Sequence, residues 1–421
     1  MKTHISIILI LAILQLSSVY GQTPKVEVFA TGLVNPIGIT LDASGNLWVA
    51  EQGTGKNDSR ISIVTPNGQV YPFLTGLPSG TPGFEPIGAE DVFFDIDGKL
   101  LILQGSGDDS LSNTVLIVDP RGFKPGDPPL TRAAIQSRIR IGSLGAGSNP
   151  YRIELGPGDD WYIVDAAANK VFVRDRITGV LRNFTNFSPI GQSEAVPTGI
   201  VFTGDKFIVG TLTGLPIPIG AARLYQVDLS GNIISYQSGF TAIVDVAIDP
   251  RDSQLVVLQH AHFGPPWLNN LGALLKVHNG VIDTLLYGLN RPTGMVFNSS
   301  GELFITTFAD DNILKVTDIP ITTTDVPTNE HSLPTGFELS QNYPNPFNPT
   351  TVIRYTIPSS SFVSLKVFDM LGKEVANLMS EEQSSGVHSV EFDANGLASG
   401  IYFYQLKAGN FAVTKKMLIQ K

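Results

Sequence analysis

Cysteine is absent from the 421 residues. That excludes disulfides, a thiolate nucleophile and any cysteine-ligated metal, so stability must come from packing. Histidine is scarce at six residues, tryptophan at three, and charged residues make up only 16%. The spacings GxSxG and HExxH do not occur, nor does a phosphate-binding glycine loop. Positive charge is in deficit: 28 Lys and Arg stand against 38 Asp and Glu, a formal charge of −10. Polyanions need a basic surface, so nucleic acid is not expected as a partner. Beyond the N-terminus no apolar run approaches membrane length, and no stable membrane span is expected in the mature chain.

What the chain has in quantity is punctuation. Its 42 Gly and 28 Pro are scattered without a collagen period, which suits an all-β protein with frequent turns. The length allows two or three domains. At the N-terminus, Lys2, the apolar run "ISIILILAIL" and small residues at Val19 and Gly21 predict a cleaved secretory signal over residues 1–21.

A repeat follows. "NPIGITLDASGNLWVAE", "IGAEDVFFDIDGKLLILQ", "NPYRIELGPGDDWYIVD", "VPTGIVFTGDKFIVG", "AIVDVAIDPRDSQLVVLQ" and "RPTGMVFNSSGELFITT" each hold an apolar strand, a polar turn and a second strand. Equivalent positions are Gly38, Asp91, Arg152, Gly199, Asp245 and Gly294, spaced 46 to 61 residues apart. A third strand ("RISIVTP", "NILKVTD") and a fourth ("GQVYPFLTGL", "GVIDTLLYGL") complete the unit. That period with four strands predicts a six-bladed β-propeller over residues 22–318. The sixth unit stops near Asp318 without a fourth strand, while "VEVFATGL" (residues 26–33) is a fourth strand without a unit. It is expected to close the ring. Residues 121–148 read as an insertion completing the second unit, with one helical turn over 131–138.

The repeat region resembles the ScyD/ScyE family, most specifically in "TGLPIPIGAARLYQV". The resemblance implies a six-bladed ring of the NHL/SMP-30 type and carries no established catalytic residues. Residues 319–338 have linker composition. From 339 to 421 the chain resembles the C-terminal sorting domain (type A) of the type IX secretion system. The matching stretches are "YPNPFNP" (with Pro344, Asn345, Pro346, Phe347, Asn348 and Pro349), "FDMLGKEV" and "LASGIYFYQL" (with Gly400 and Tyr402). The alternation of those strands predicts an antiparallel β-sandwich. The resemblance implies the type IX machinery as a partner and the cell surface or medium as the destination.

No motif names a substrate. The loops after the second strands offer candidate ligand-binding residues: Glu51, Asp165, His260, His262, Trp267 and Asp310. The acids would form a rim, and His260 and His262 would share one side of an extended strand beside Trp267. A divalent cation such as calcium, held in the central channel by Glu90, Asn149 and Asp245 near Asn35, is the candidate cofactor, as in lactonases resembling gluconolactonase. "DIDG" (residues 95–98) reads as a turn and not as a calcium loop. Three functions are therefore weighed: binding of an unknown small molecule or surface protein, metal-dependent hydrolysis or elimination, and a scaffold in a surface assembly.

Overall fold

The computed structural model describes residues 23–83, 85–142, 147–215, 217–261, 269–321, 337–339, 341–342, 345, 347–357, 361–383, 386–409 and 411–420. The expected signal segment, residues 322–336 of the linker, His262, Trp267, Pro344 and Pro346 lie outside the described residues. The chain divides into two compact units, Met1–Thr323 and Thr324–Lys421.

The second strand of each repeat shows why the chain pairs as it does. LWVAE, LLILQ, WYIVD, FIVGT, LVVLQ and LFITT are nearly continuous apolar runs, buried on both faces and ending on a polar residue. Such strands can only sit inside stacked sheets. Among the described residues the first unit holds six four-stranded antiparallel sheets. Their inner strands are Pro36–Leu41, Ala89–Phe94, Pro150–Leu155, Pro197–Phe202, Ile243–Ile248 and Pro292–Phe297. Each inner strand packs against the next, and the sixth against the first, so the sheets form a closed circle. In five sheets the outer strand follows in sequence. In the sixth it is Lys25–Thr31, which pairs with Asn312–Thr317 through Glu27 opposite Lys315 and Val28 opposite Leu314.

The circle is repeated down to single hydrogen bonds. Every inner strand shifts register at the same place, just before its third or fourth residue, a bulge that re-aims the side chains there. The amide after each second strand donates to the residue before the inner strand: Gln52 to Asn35, Gly105 to Gly88, Ala166 to Asn149, Leu212 to Val196, His260 to Ala242 and Phe308 to Arg291. Val196 is held at φ 49°, a costly conformation for a β-branched residue. The Leu212 bond at 2.8 Å helps to fix it there.

Inner strands are edge strands, and their free amides and carbonyls need partners. Side chains of the preceding sheet supply them. Ser59 Oγ accepts from Ala89 N (2.9 Å), Asp91 from Ile153 N (3.2 Å) and Asp245 from Met295 N (2.8 Å). Glu154 accepts from the Phe202 backbone. Thr198 donates to Ile243 O (2.6 Å), and Thr293 and Thr306 donate to Pro36 O and Ile37 O across the closure.

The insertion at 121–148 does complete the second sheet, through Ile135–Arg140. Its helical content shrinks to a 3-10 turn at Arg132–Ala134, because Ile135 and Ile139 pair with Val118 and Val115. Leu130 also hooks onto the outer strand of the first sheet, donating to Phe73 O and accepting from Thr75 N.

The second unit holds a three-stranded sheet (Glu338–Leu339, Thr350–Ile357, Gly386–Asp393) and a four-stranded one (Glu374–Gln383, Ser361–Phe368, Gly400–Ala408, Phe411–Ile419). Ile353, Tyr355, Leu365, Tyr404 and Met417 pack between them.

Candidate binding site in the central channel

The third inner-strand position reads Gly38, Asp91, Arg152, Gly199, Asp245, Gly294 around the circle. The glycines are required by space. A Cβ on Gly38 would fall 2.3 Å from Asp91 Oδ1, and one on Gly294 would fall 2.4 Å from Ile37 O. Arg152 extends across the channel. It donates to Asp91 Oδ1 (2.9 Å) on the neighbouring strand and to Thr293 O (3.2 Å) on the sixth sheet, and lies 3.4 Å from Asp245 Oδ2 on the fifth. All three charged side chains are buried.

Burial pushes the Asp91 carboxyl up to about 6, against the pull of the Arg152 guanidinium. Asp245 is raised for the same reason. Burial opposes the charge on Arg152, but Asp245 and Asp91 hold it firmly protonated. Arg152 Nε is buried and has no hydrogen-bond partner among the described residues, so none of them satisfies this donor in the channel.

A cavity of about 500 Å3 continues from this layer. Residues from all six inner strands line it, among them Thr40, Phe93, Glu154, Val201, Ala247 and Val296, one residue from each strand at the equivalent position. Its lining mixes apolar side chains with converging polar ones (Thr40, Asp91, Arg152, Glu154 and Asp245), and concave sites with convergent polar groups take small molecules. Glu154 is the only ionisable group at its level, and burial raises it to about 8. At neutral pH it is a carboxylic acid that can donate a hydrogen bond.

Glu90 sits one residue before Asp91. Burial raises it to about 8, while Gln52 Nε2 donates to both of its oxygens (2.9 and 2.8 Å). Asn149 lies beside it across Gly105 and accepts from Ser106 N. This donor set does not fit a divalent cation. A cation site needs converging oxygens free to coordinate, yet both Glu90 oxygens accept from Gln52 Nε2 and Asp245 already faces the Arg152 guanidinium. Among the described residues no three His, Cys, Asp or Glu converge on a metal position.

The expected rim differs as well. Glu51 and Asp165 are wholly buried. Glu51 accepts from Val34 N (2.6 Å), Arg60 (2.8 Å) and Ser62 (2.5 Å), and Asp165 from Ser148 (2.5 Å), Asn149 N (2.7 Å) and Ala168 N (3.0 Å). Both pin the chain entering the inner strand, as Gln259 does through Thr241 N. His260 is buried with Nδ1 2.8 Å from Pro292 O, and burial lowers its pKa. A carbonyl only accepts, so Nδ1 carries a proton. Asp310 is exposed and accepts from Asn290 (2.6 Å). The 95–98 stretch is a turn, with Asp95 Oδ1 accepting from Asp97 N and Lys99 N.

In the second unit Asn345 and Phe347 lie beside the final strand. Asn345 Oδ1 and Phe347 O accept from Leu418 N and Gln420 N, and Phe347 N donates to Leu418 O. Phe347 is buried, Pro349 O accepts from Ala394 N across a cis Asn348–Pro349 bond, and Gly400 opens the strand that carries buried Tyr402. Arg152, Asp91 and Glu154 were missed as site residues. The signal was present: charged residues at positions where sister repeats carry glycine or apolar side chains.

No curated protein matches the sequence. Among solved structures, the chain is similar to a streptogramin B lyase (16% identity, 70% of this chain and 97% of that one, TM-score 0.44). It is also similar to an auxiliary nutrient binding protein from Bacteroides thetaiotaomicron (11%, 70% and 76%, TM-score 0.47). A third is the PQQ-bound aldose sugar dehydrogenase from Streptomyces coelicolor (13%, 70% and 98%, TM-score 0.47). No activity passes from these names to this chain. Residues 341–420 match the family described as the secretion system C-terminal sorting domain. This tail sends the chain through type IX secretion to the cell surface or the extracellular space.

Proposed function

We propose that the first unit is a non-catalytic binding module that takes a small molecule in its central channel after export. The cavity bounded by all six inner strands, with the Arg152 Nε donor that no described residue satisfies at its charged end, carries this reading. The resemblance of residues 26–318 to ScyD/ScyE propellers, which carry no established catalytic residues, is in keeping with it. A metal-dependent hydrolase is disfavoured because an arginine stands where the cation would be needed.

A thermal-shift screen of the purified full chain against small molecules tests the reading. A ligand that binds the folded chain raises the melting temperature according to its affinity and concentration. Thr40 lines the cavity, so Thr40→Trp should abolish the shift produced by a true channel ligand. A shift that survives in Thr40→Trp would place binding elsewhere.

A further inference from the structure

In the four-stranded sheet of the sorting domain, alternate residues go to the core: Val363, Leu365 and Val367, Tyr402, Tyr404 and Leu406, Met417 and Ile419. The residues between them face outward. At one end that outer face is apolar. Phe368 pairs with Phe403, and Ile401 pairs with Leu418. Ile401 and Leu418 are 37% and 36% exposed, and Phe368 and Phe403 are partly exposed.

The turn following Phe368 extends the patch. Met370 is 70% exposed and Leu371 is 94% exposed. Their turn is a defined one: Asp369 Oδ1 accepts from Leu371 N and Lys373 N, both at 2.9 Å. Neither side chain contributes to the core cluster. Lysines border the patch: Lys366 and Lys416 on the sheet, opposite Gln405 and Phe403, and Lys373 at the turn.

We propose that Phe368, Met370, Leu371, Ile401, Phe403 and Leu418 form the surface by which the type IX machinery docks this cargo. The partner presents an apolar pocket for the turn tip and an acidic border for the lysines. Contiguous exposed apolar groups with a polar border are typical of interaction surfaces, and rigid apolar anchors concentrate binding energy. The occupant follows from the domain's role. A sorting domain must be read by the export apparatus, its inner face is consumed by its own core, and this end of the outer face leaves large apolar side chains uncovered. Lys366 is paired with Glu374 (2.8 Å), so Lys373 and Lys416 carry the basic border, which fits an acidic partner and would repel a second copy of itself.

The test uses the full chain in cells that carry type IX secretion. Leu371→Ser and Ile401→Thr change exposed side chains, and Phe362→Ser, 54% exposed at the other end of the same sheet, is the control. The surface and extracellular fraction should fall about tenfold for the Leu371→Ser/Ile401→Thr pair, with folded protein accumulating in the periplasm. Phe362→Ser should be exported normally, and all three purified proteins should melt alike. Lys416→Glu should also lower export. Normal export of the double variant would overturn the proposal, as would an equal loss in Phe362→Ser. A change from dimer to monomer with export intact would assign the patch to a second copy instead.

Discussion

Arg152 is where the physics of a single residue is clearest. Its guanidinium serves Asp91 and Thr293 O and faces Asp245, all buried, so removing it leaves two carboxylates without their counter-charge. Breaking such a set costs far more than replacing it whole. Arg152→Met should lower unfolding free energy by about 3–5 kcal/mol. The triple change Asp91→Asn, Arg152→Met, Asp245→Asn should recover most of that loss. Urea unfolding measures both, and equal losses would show that the charges do not act as one set.

Glu90 gives the pH dependence. It titrates near 4.5 when unfolded and near 8 when folded. Between those values the folded chain keeps a proton that the unfolded chain releases, so stability falls as pH rises from about 4.5 to about 8. Glu90→Gln cannot ionise. It should match the parent near pH 4 and exceed it at pH 8.5 by on the order of 4 kcal/mol. Parallel melting curves across that range would contradict the assignment. Residues of this kind were half legible in the sequence. Alignment of the repeats placed Asp91, Arg152 and Asp245 at one level, but not that Arg152 crosses the channel. Glu51 and Asp165 misled because a polar strand end looks alike whether it meets water or a buried amide.

Among the elements, the first described strand matters most to the circle. Its register against Asn312–Thr317 places Ala30 opposite Ile313, where both are buried with Leu33 and Phe304. The Lys25–Asp318 pair at the end of the strand is exposed and contributes little. Ala30→Asp should therefore destabilise the first unit by several kcal/mol, about 3 or more, whereas Lys25→Ala should leave its melting unchanged. If both changes were silent, the strand would not be holding the sixth sheet. This strand was legible because an unpaired closing segment at one end answered a missing one at the other. The hook at Leu130 was not, since nothing in a Pro- and Gly-rich stretch specifies which edge it meets.

For the whole molecule, the export address and the circle of six sheets lie in different units. The sorting domain was legible from short motifs, and Asn345 and Phe347 of one of them bond to the end of the chain at Leu418 and Gln420. Removing residues 339–421 should leave a folded first unit in the periplasm, with its melting transition retained and its extracellular fraction lost. Fractionation with calorimetry checks this, and truncated protein outside the cell would contradict the sorting role. The channel cavity was not legible, since every repeat contributes part of its lining and its chemistry appears only when the six inner strands are brought together.

Hydrogen exchange with the best ligand of the thermal screen tests the account most directly. Amides in the second halves of the six inner strands, around Thr40, Phe93, Glu154, Val201, Ala247 and Val296, should gain protection together on binding. Protection confined to the loops after the second strands, with the inner strands unchanged, would contradict a ligand in the channel.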